Sequence, residues 1–305
     1  MVRSMAGVVA GVVAGLRSGV GTRAIDAERR SVGRAGRYGS AVDITARWAE
    51  LVQGPERELP LDEAALLISA HATGTVNVAR ELRHLDEVAA DCADDSLGGL
   101  CELLFFQFGL RGNTDCYQDP RNSYIDQVLE RRLGIPISLS VVTIEVGRRI
   151  GVPLQGVGMP GHFLVQPAGR ADHEPLLDVF NQRWMTVDEC REMAARMTGN
   201  RARWSPRWLA PTRPRAILAR MLANLATTHR ENEDMGSLGR VAELAAAIPG
   251  RPPAERFQVA EDLAASGRLR LAARLYLTVA ADKRVSAGDS ERLRVKAASL
   301  RARLN

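Results

Sequence analysis

The chain has 305 residues, of which 46 % are hydrophobic and 25 % charged, with a net charge of +5. That is enough apolar material for a sizeable core, and it excludes a mainly disordered, collagen-like or disulfide-stapled protein. The four cysteines (Cys92, Cys101, Cys116, Cys190) form no CxxC pair and have no His at zinc-finger spacing, so reduced thiols of a cytoplasmic protein are expected, with no metal and no cofactor.

Residues 1–42 are rich in Gly, Ala, Arg and Val without sustained periodicity and read as a flexible leader. Within them the apolar run Ala6–Leu16 has the length of a signal-peptide core. Its glycines and the absence of a clean small-x-small cleavage site argue against that reading. No run of about 18 uncharged apolar residues occurs, so no membrane-spanning helix is expected.

Helical periodicity begins near Val42, with Ile44, Trp48, Leu51 and Val52 on one face and Pro55 as the breaker. A second helix opens at Leu61 and a third runs from Val76 to Val88. Leu97–Phe108 reads as one further apolar helix ending in a glycine-rich turn, Gly109 to Asn113. A short helix over Tyr124–Arg132 is expected to close at Gly134. Pro136 then stands where a helix would start, as its fixed φ permits. The residues after it are apolar on most sides, the mark of a buried central helix. Glu145, Arg148 and Arg149 on that helix read as a solvated stripe of charge pairs.

After Gly151-Val152-Pro153 the pattern changes to strands over Leu154–Gly158, His162–Gln166 and Leu176–Phe180. From Pro206 onward helices return, and Ala254–Arg284 reads as a hairpin turning at Gly267, resembling one tetratricopeptide unit. The expected fold class is α+β: a central buried helix packed on a small antiparallel sheet, a mostly helical lead-in and an all-α C-terminal domain. The expected division is a leader over 1–42, a core with its helical lead-in over 43–205, and a helical tail over 206–305.

Charge is unevenly distributed, at +5 over 1–42, −10 over 43–200 and +10 over 201–305. Basic ends could bind polyanions. No aromatic residues interleave with the C-terminal arginines to stack on bases, so nucleic acid is not expected as a partner.

Three features could carry chemistry. Pro136 to Ser140 start a buried helix, whose N-terminal dipole favours an oxyanion or a thiolate. His162 is expected to begin a strand, and Asp178 lies on the next one. An Asp can then fix the imidazole tautomer and leave the other ring nitrogen for a nucleophile. Asn113, Asn181 and Trp184 are candidate walls of the same pocket. Against catalysis, a His beside a Pro-Gly turn is more often structural.

Four blocks carry a resemblance: Arg111-Gly-Asn-Thr-Asp-Cys-Tyr-Gln-Asp-Pro-Arg-Asn-Ser123, Val128-Leu-Glu-Arg-Arg-Leu-Gly-Ile-Pro-Ile-Ser-Leu-Ser140, Gly156-Val-Gly-Met-Pro-Gly-His-Phe-Leu-Val165 and Leu177-Asp-Val-Phe-Asn181. Over residues 45–230 the chain resembles the transglutaminase-like "core 2" family, whose bacterial members include SirB-type proteins. The resemblance implies a papain-like α+β core with a tetratricopeptide-like C-terminal region. In active transglutaminase-like enzymes a Gly-x-Cys opens the central helix and a Gly-x-Pro follows it. Placing Gly151-Val152-Pro153 on the second element puts the cysteine position at Pro136, within Gly134-Ile135-Pro136. His162 and Asp178 match the other two family positions, so the resemblance implies a triad without its nucleophile.

Ser138 lies about 200° around the helix from Pro136, and Ser140 returns to the same face about one turn deeper. Both read as hydroxyls bonded back to carbonyls. Cys116 stands where the family usually has an acidic or aromatic residue. The expectation is a pseudoenzyme acting through a protein partner held by the helical tail. The alternative is a hydrolase or acyltransferase in which His162 and Asp178 serve a displaced nucleophile, with Ser140 the candidate, or an activated water.

Overall fold

The computed structural model describes residues 43–199 and 203–304, so the leader expected over 1–42 lies outside the described residues. The chain enters through α1 (Ile44–Gln53), capped by the Asp43 carboxylate, which accepts from the Thr45 and Ala46 N–H groups at 3.0 Å. Next come α2 (Leu61–Thr73), buried continuously from Leu61 to Ala70, and α3 (Val78–Ala90), capped by Asn77. The run Leu97–Phe108 is not one α-helix. It divides into α4 (Leu97–Cys101) and a π-helical turn over Glu102–Gln107. The wider turn buries Leu103, Leu104 and Phe105 in succession, and the Phe108 N–H reaches back to the Leu103 carbonyl at 2.7 Å.

Two short strands then pair in parallel, β1 (Arg111–Gly112) and β2 (Leu133–Gly134), where the sequence pattern showed only a turn. Between them lies α5 (Ile125–Arg131). It is closed by Arg132 in the left-handed region at φ 60°, not by Gly134. Gly134 is a strand residue needed for its lack of bulk: a Cβ there would lie 2.8 Å from Ser138 Oγ and 2.9 Å from Leu139 Cδ2.

The central helix α6 (Pro136–Arg149) starts at Pro136 as the sequence predicts and is buried from Pro136 to Gly147. It packs on α3, α2, β3 and β4. An antiparallel meander follows in the order β3 (Leu154–Val157), β4 (Leu164–Pro167), β5 (Leu176–Asp178), β6 (Arg183–Met185). Neighbouring side chains on a strand point to opposite faces. Val165 and Leu177 accordingly join the main core with α6, while Leu164 and Leu176 join a second cluster with Met185, Cys190 and Ala194. Helix α7 (Val187–Thr198) covers that second face with Cys190 and Ala194. Neither β6 nor α7 is anticipated by the sequence pattern. His162 does not begin a strand, since β4 starts two residues later.

The helical tail comprises α8 (Pro214–Glu231), α9 (Met235–Ala247), α10 (Pro253–Ala265), α11 (Leu269–Ala280) and α12 (Ala287–Ala302), each packed on the next. α8–α9 and α10–α11 form two successive helical hairpins where the sequence pattern showed one; Gly267, at φ 79°, lies in the second turn. The tail docks on the lead-in. The Trp48 indole N–H donates to the Leu244 carbonyl at 2.9 Å, and Arg215 pairs with Glu56 at 3.0 Å. Thr212 closes the free edge of β3: its N–H donates to the Gly156 carbonyl at 2.7 Å, and its hydroxyl accepts from the Gly158 N–H at 2.8 Å.

The expected solvated stripe on α6 is in fact a buried charge cluster. Glu145 is 4 % exposed and Asp62, from α2, 1 %. Arg148 donates to Glu145 at 2.7 Å and to Asp62 at 2.9 Å, while Arg149 reaches Asp62 at 2.9 Å and Asp86 at 2.6 Å. Burial, then the nearby Asp62 carboxylate, pushes the Glu145 carboxyl up to about 7, against the pull of both arginines. Folded Glu145 therefore keeps its proton to a higher pH than the unfolded chain, where a Glu titrates near about 4.3. Stability should fall as pH rises from about 4.3 towards 7. Urea unfolding across that range should show the decline in the native chain and a flattened slope in Glu145→Gln. Equal slopes in the two proteins would remove Glu145 as the cause.

Candidate functional site

The site begins at the end of the sheet where β5 finishes and the loop before β4 arrives. Val165 pairs with Leu177, so the His162 loop and Asp178 fall at the same end of the sheet. His162 Nε2 lies 3.0 Å from Asp178 Oδ1. The contact is close, but Nε2 has no hydrogen-bond partner of good geometry. Asp178 is fully buried, and its other partners come from Asn181: the backbone N–H donates to Oδ1 at 3.1 Å and the side-chain amide to Oδ2 at 2.7 Å. Burial alone would push the Asp178 carboxyl up. His162 and the two Asn181 donors outweigh it and hold the carboxyl below its ordinary value. The pair thus leaves Nδ1 as the ring nitrogen turned away from the carboxylate, and the His162 side chain keeps 9 % of its surface exposed.

The opening of α6 offers no nucleophile. Pro136 is its first residue and is buried. The Ser138 hydroxyl accepts from the Ile135 N–H at 3.1 Å and donates to the Asn122 carbonyl. The Ser140 hydroxyl donates to the Pro136 carbonyl at 2.7 Å. Both serines are 0 % exposed, so each hydroxyl is committed to backbone out of solvent's reach. Burial pushes the Cys101 thiol up to about 12 and the Cys190 thiol up to about 11, which makes both poor nucleophiles. Cys116 is exposed on the loop after β1, and its N–H donates to Asn113 Oδ1 at 3.1 Å.

The three candidate wall residues separate. Asn113 is buried, and its amide donates to Asn122 Oδ1 at 3.0 Å while accepting from Cys116. It braces its own loop. Trp184 stands opposite Leu177 on β6 and packs on the main core, with its indole N–H buried and unpartnered. Asn181 lines a groove of about 350 Å³ shared with Phe105, Gly109, Arg111, Gly112, Phe180 and Gln182.

Phe180 lines this groove and also meets the imidazole. Its ring meets His162 edge-on at 6.5 Å and Tyr117 at 5.9 Å between centroids. Gly112 admits it closely, since a Cβ there would lie 2.7 Å from the ring. Arg220, on α8 in the tail, donates to the Met159 carbonyl at 3.1 Å and the His162 carbonyl at 2.8 Å. The sequence reading singled out none of Phe180, Tyr117 or Arg220. For Phe180 a signal existed, since it lies between Asp178 and Asn181 in the fourth block. For Arg220 there was none, because it lies 58 residues from the loop it holds.

The profile of the transglutaminase-like superfamily, core 2, matches residues 73–223. A UPF0162 protein of Xylella fastidiosa (strain Temecula1) is 37 % identical over 224 residues, spanning 68 % of this chain and 79 % of that protein. A UPF0162 protein of Pseudomonas aeruginosa is 34 % identical over 178 residues, 55 % of this chain and 64 % of its own length. F-box only protein 21 of Mus musculus is 38 % identical over 96 residues, 29 % of this chain and 15 % of that protein. No solved structure matches the chain.

Asp178→Asn should destabilise the fold by about 1–3 kcal/mol, because a buried charge-assisted acceptor is lost while its size is kept. The sign with pH follows from the lowered carboxyl. Its contribution is complete above the unfolded value of about 4 and disappears as pH falls through the folded value. Unfolding midpoints should therefore show an acid decline in the native chain that Asp178→Asn lacks. An unchanged acid limb in the variant would exclude this role.

Proposed function

Because the chain belongs to the transglutaminase-like superfamily, we propose that it is a pseudoenzyme of the SirB type, acting through protein–protein contact in a regulatory role and not by covalent catalysis. The observation that carries this reading is the opening of α6, where Pro136 supplies no nucleophilic atom and the nearest hydroxyls, Ser138 and Ser140, are bonded to the Asn122 and Pro136 carbonyls. A covalent mechanism needs a nucleophile within reach of its base. Freeing either hydroxyl would leave a buried carbonyl without its partner.

A partner held by the tail is supported by a second cavity of about 350 Å³, lined by Phe257, Val279, Val285 and Leu293 together with Asp289, Arg292 and Lys296. Arg292 is paired with Asp289 and Lys296 with Glu261, so the lining suits the apolar side chains of a bound helix or peptide more than its charge. Sharing of a 96-residue stretch with F-box only protein 21, where it makes up 15 % of the chain, supports a module used in different settings. The four free thiols fit action in the cytoplasm.

One observation favours a second reading. His162 and Asp178 remain paired at 3.0 Å, the arrangement that would let an imidazole activate water in hydrolysis. Labelling the full chain with a fluorophosphonate and with iodoacetamide, beside turnover assays on simple amides and esters, separates the two. The pseudoenzyme should show no serine labelling, and cysteine labelling confined to Cys116 and Cys92 at the same rate in His162→Ala. Turnover or labelling that disappears in His162→Ala would establish the hydrolase instead.

A further inference from the structure

The strongest unexplained group near His162 is a cation. Arg220 reaches from α8 into the His162 loop, and among the described residues no carboxylate lies within ion-pair distance of it. Burial draws its guanidinium down from the ordinary arginine value, with Tyr117 opposing. A partly buried charge without a counter-ion is costly, and arginine does not escape that cost by losing its proton. The Met159 and His162 carbonyls and the Phe163 ring, 5.5 Å from the guanidinium carbon, offset part of it. None of them carries a negative charge.

The surroundings are those of a small receptor. Two of the five guanidinium N–H groups are used by carbonyls, which leaves three. Tyr117 is 46 % exposed as a residue; burial raises its phenol and the Arg220 charge opposes that. Tyr117, Phe180 and His162 form a row of edge-on rings, and the third of these belongs to the residue whose carbonyl Arg220 holds. Arg220 also lies inside the matched span, which ends at residue 223.

We infer that Arg220, Tyr117 and His162 form an anion-recognition site that takes a carboxylate of a bound peptide. A planar two-oxygen group matches the guanidinium fork. The inference rests on the binding reading above and supplies the chemistry of what this site would hold.

The test is a titration of the full chain labelled with ¹⁵N-histidine, the His162 ring signals being assigned by their loss in His162→Gln. The probes are acetyl-Gly-Gly-Gly with a free C-terminal carboxylate, the same peptide as its amide, and inorganic phosphate. The free acid should move the His162 signals saturably, and the amide should bind at least about tenfold more weakly. Arg220→Met should weaken binding of the acid by a similar factor, and Arg220→Lys, which keeps the charge but lacks the fork, should weaken it too. Tyr117→Phe, a surface change, serves if both Arg220 variants fail to fold, and should also weaken binding. If phosphate moves the same signals with the same Arg220 dependence and the peptide does not, anion recognition stands with a free anion as its source. No response to any probe, or responses equal in the native chain and all folded variants, would overturn it. Turnover that depends on His162 with anion binding intact would sink the pseudoenzyme reading alone; no binding and no turnover would sink this inference alone.

Discussion

Helix α6 can be buried along twelve residues, Pro136 to Gly147, only because its polar side chains are answered locally. Ser140 and Thr143 donate to the carbonyls one turn earlier, Pro136 at 2.7 Å and Leu139 at 2.9 Å. Ser138 ties the helix start to the Asn122 loop, and Glu145 is met by Arg148 and Arg149. A hydroxyl left unpaired in that position would cost about 1–3 kcal/mol. The bonds that permit burial are the same ones that withhold Ser138 and Ser140 from chemistry. Proline completes the arrangement, because it has no N–H to satisfy at the first helical position.

The sheet inherits its geometry from this helix. Because α6 covers one face and α7 the other, β4 and β5 bury side chains on both sides, which is why Leu164-Val165 and Leu176-Leu177 are unbroken apolar pairs. With both faces taken, a charge on β5 has to find its partners at the strand end. Asp178 does so through Asn181 and His162, so the imidazole is held by the group that also terminates the strand. The same contacts serve the fold and a candidate site, and the two roles share one energetic cause.

Much of this was legible in the sequence. The apolar circumference of α6, Pro136 at its start and the helix–meander–helix order all rest on local pattern, which composition and period report directly. What escaped depends on distant contacts. The β1–β2 pair holds only two residues on each strand and forms because α5 brings Leu133 beside Arg111. Glu145, Arg148 and Arg149 have a spacing that reads the same on a wet face and a dry one. Asp62, 86 residues before Arg148, decides which. The π-turn over Glu102–Gln107 likewise answers to the packing of Leu103, Leu104 and Phe105, not to a local motif. At the site, His162 and Asp178 could be paired by inspection, whereas Asn113 and Trp184 are polar or aromatic residues whose surroundings no spacing reveals.

The position of α8 bears on how the molecule should be divided. A boundary at 205/206 follows the change from strands to helices, but physical contacts cross it. Thr212 completes the edge of β3, α8 packs on α2 and α6, and Arg220 grips the loop that carries His162. The match to the superfamily also runs past that boundary to residue 223, inside α8 (Pro214–Glu231). Helix α8 thus contributes to the main core and holds the His162 loop, while the segment just before it covers a strand edge. The tail therefore meets the site through α8, on which α9 packs in turn.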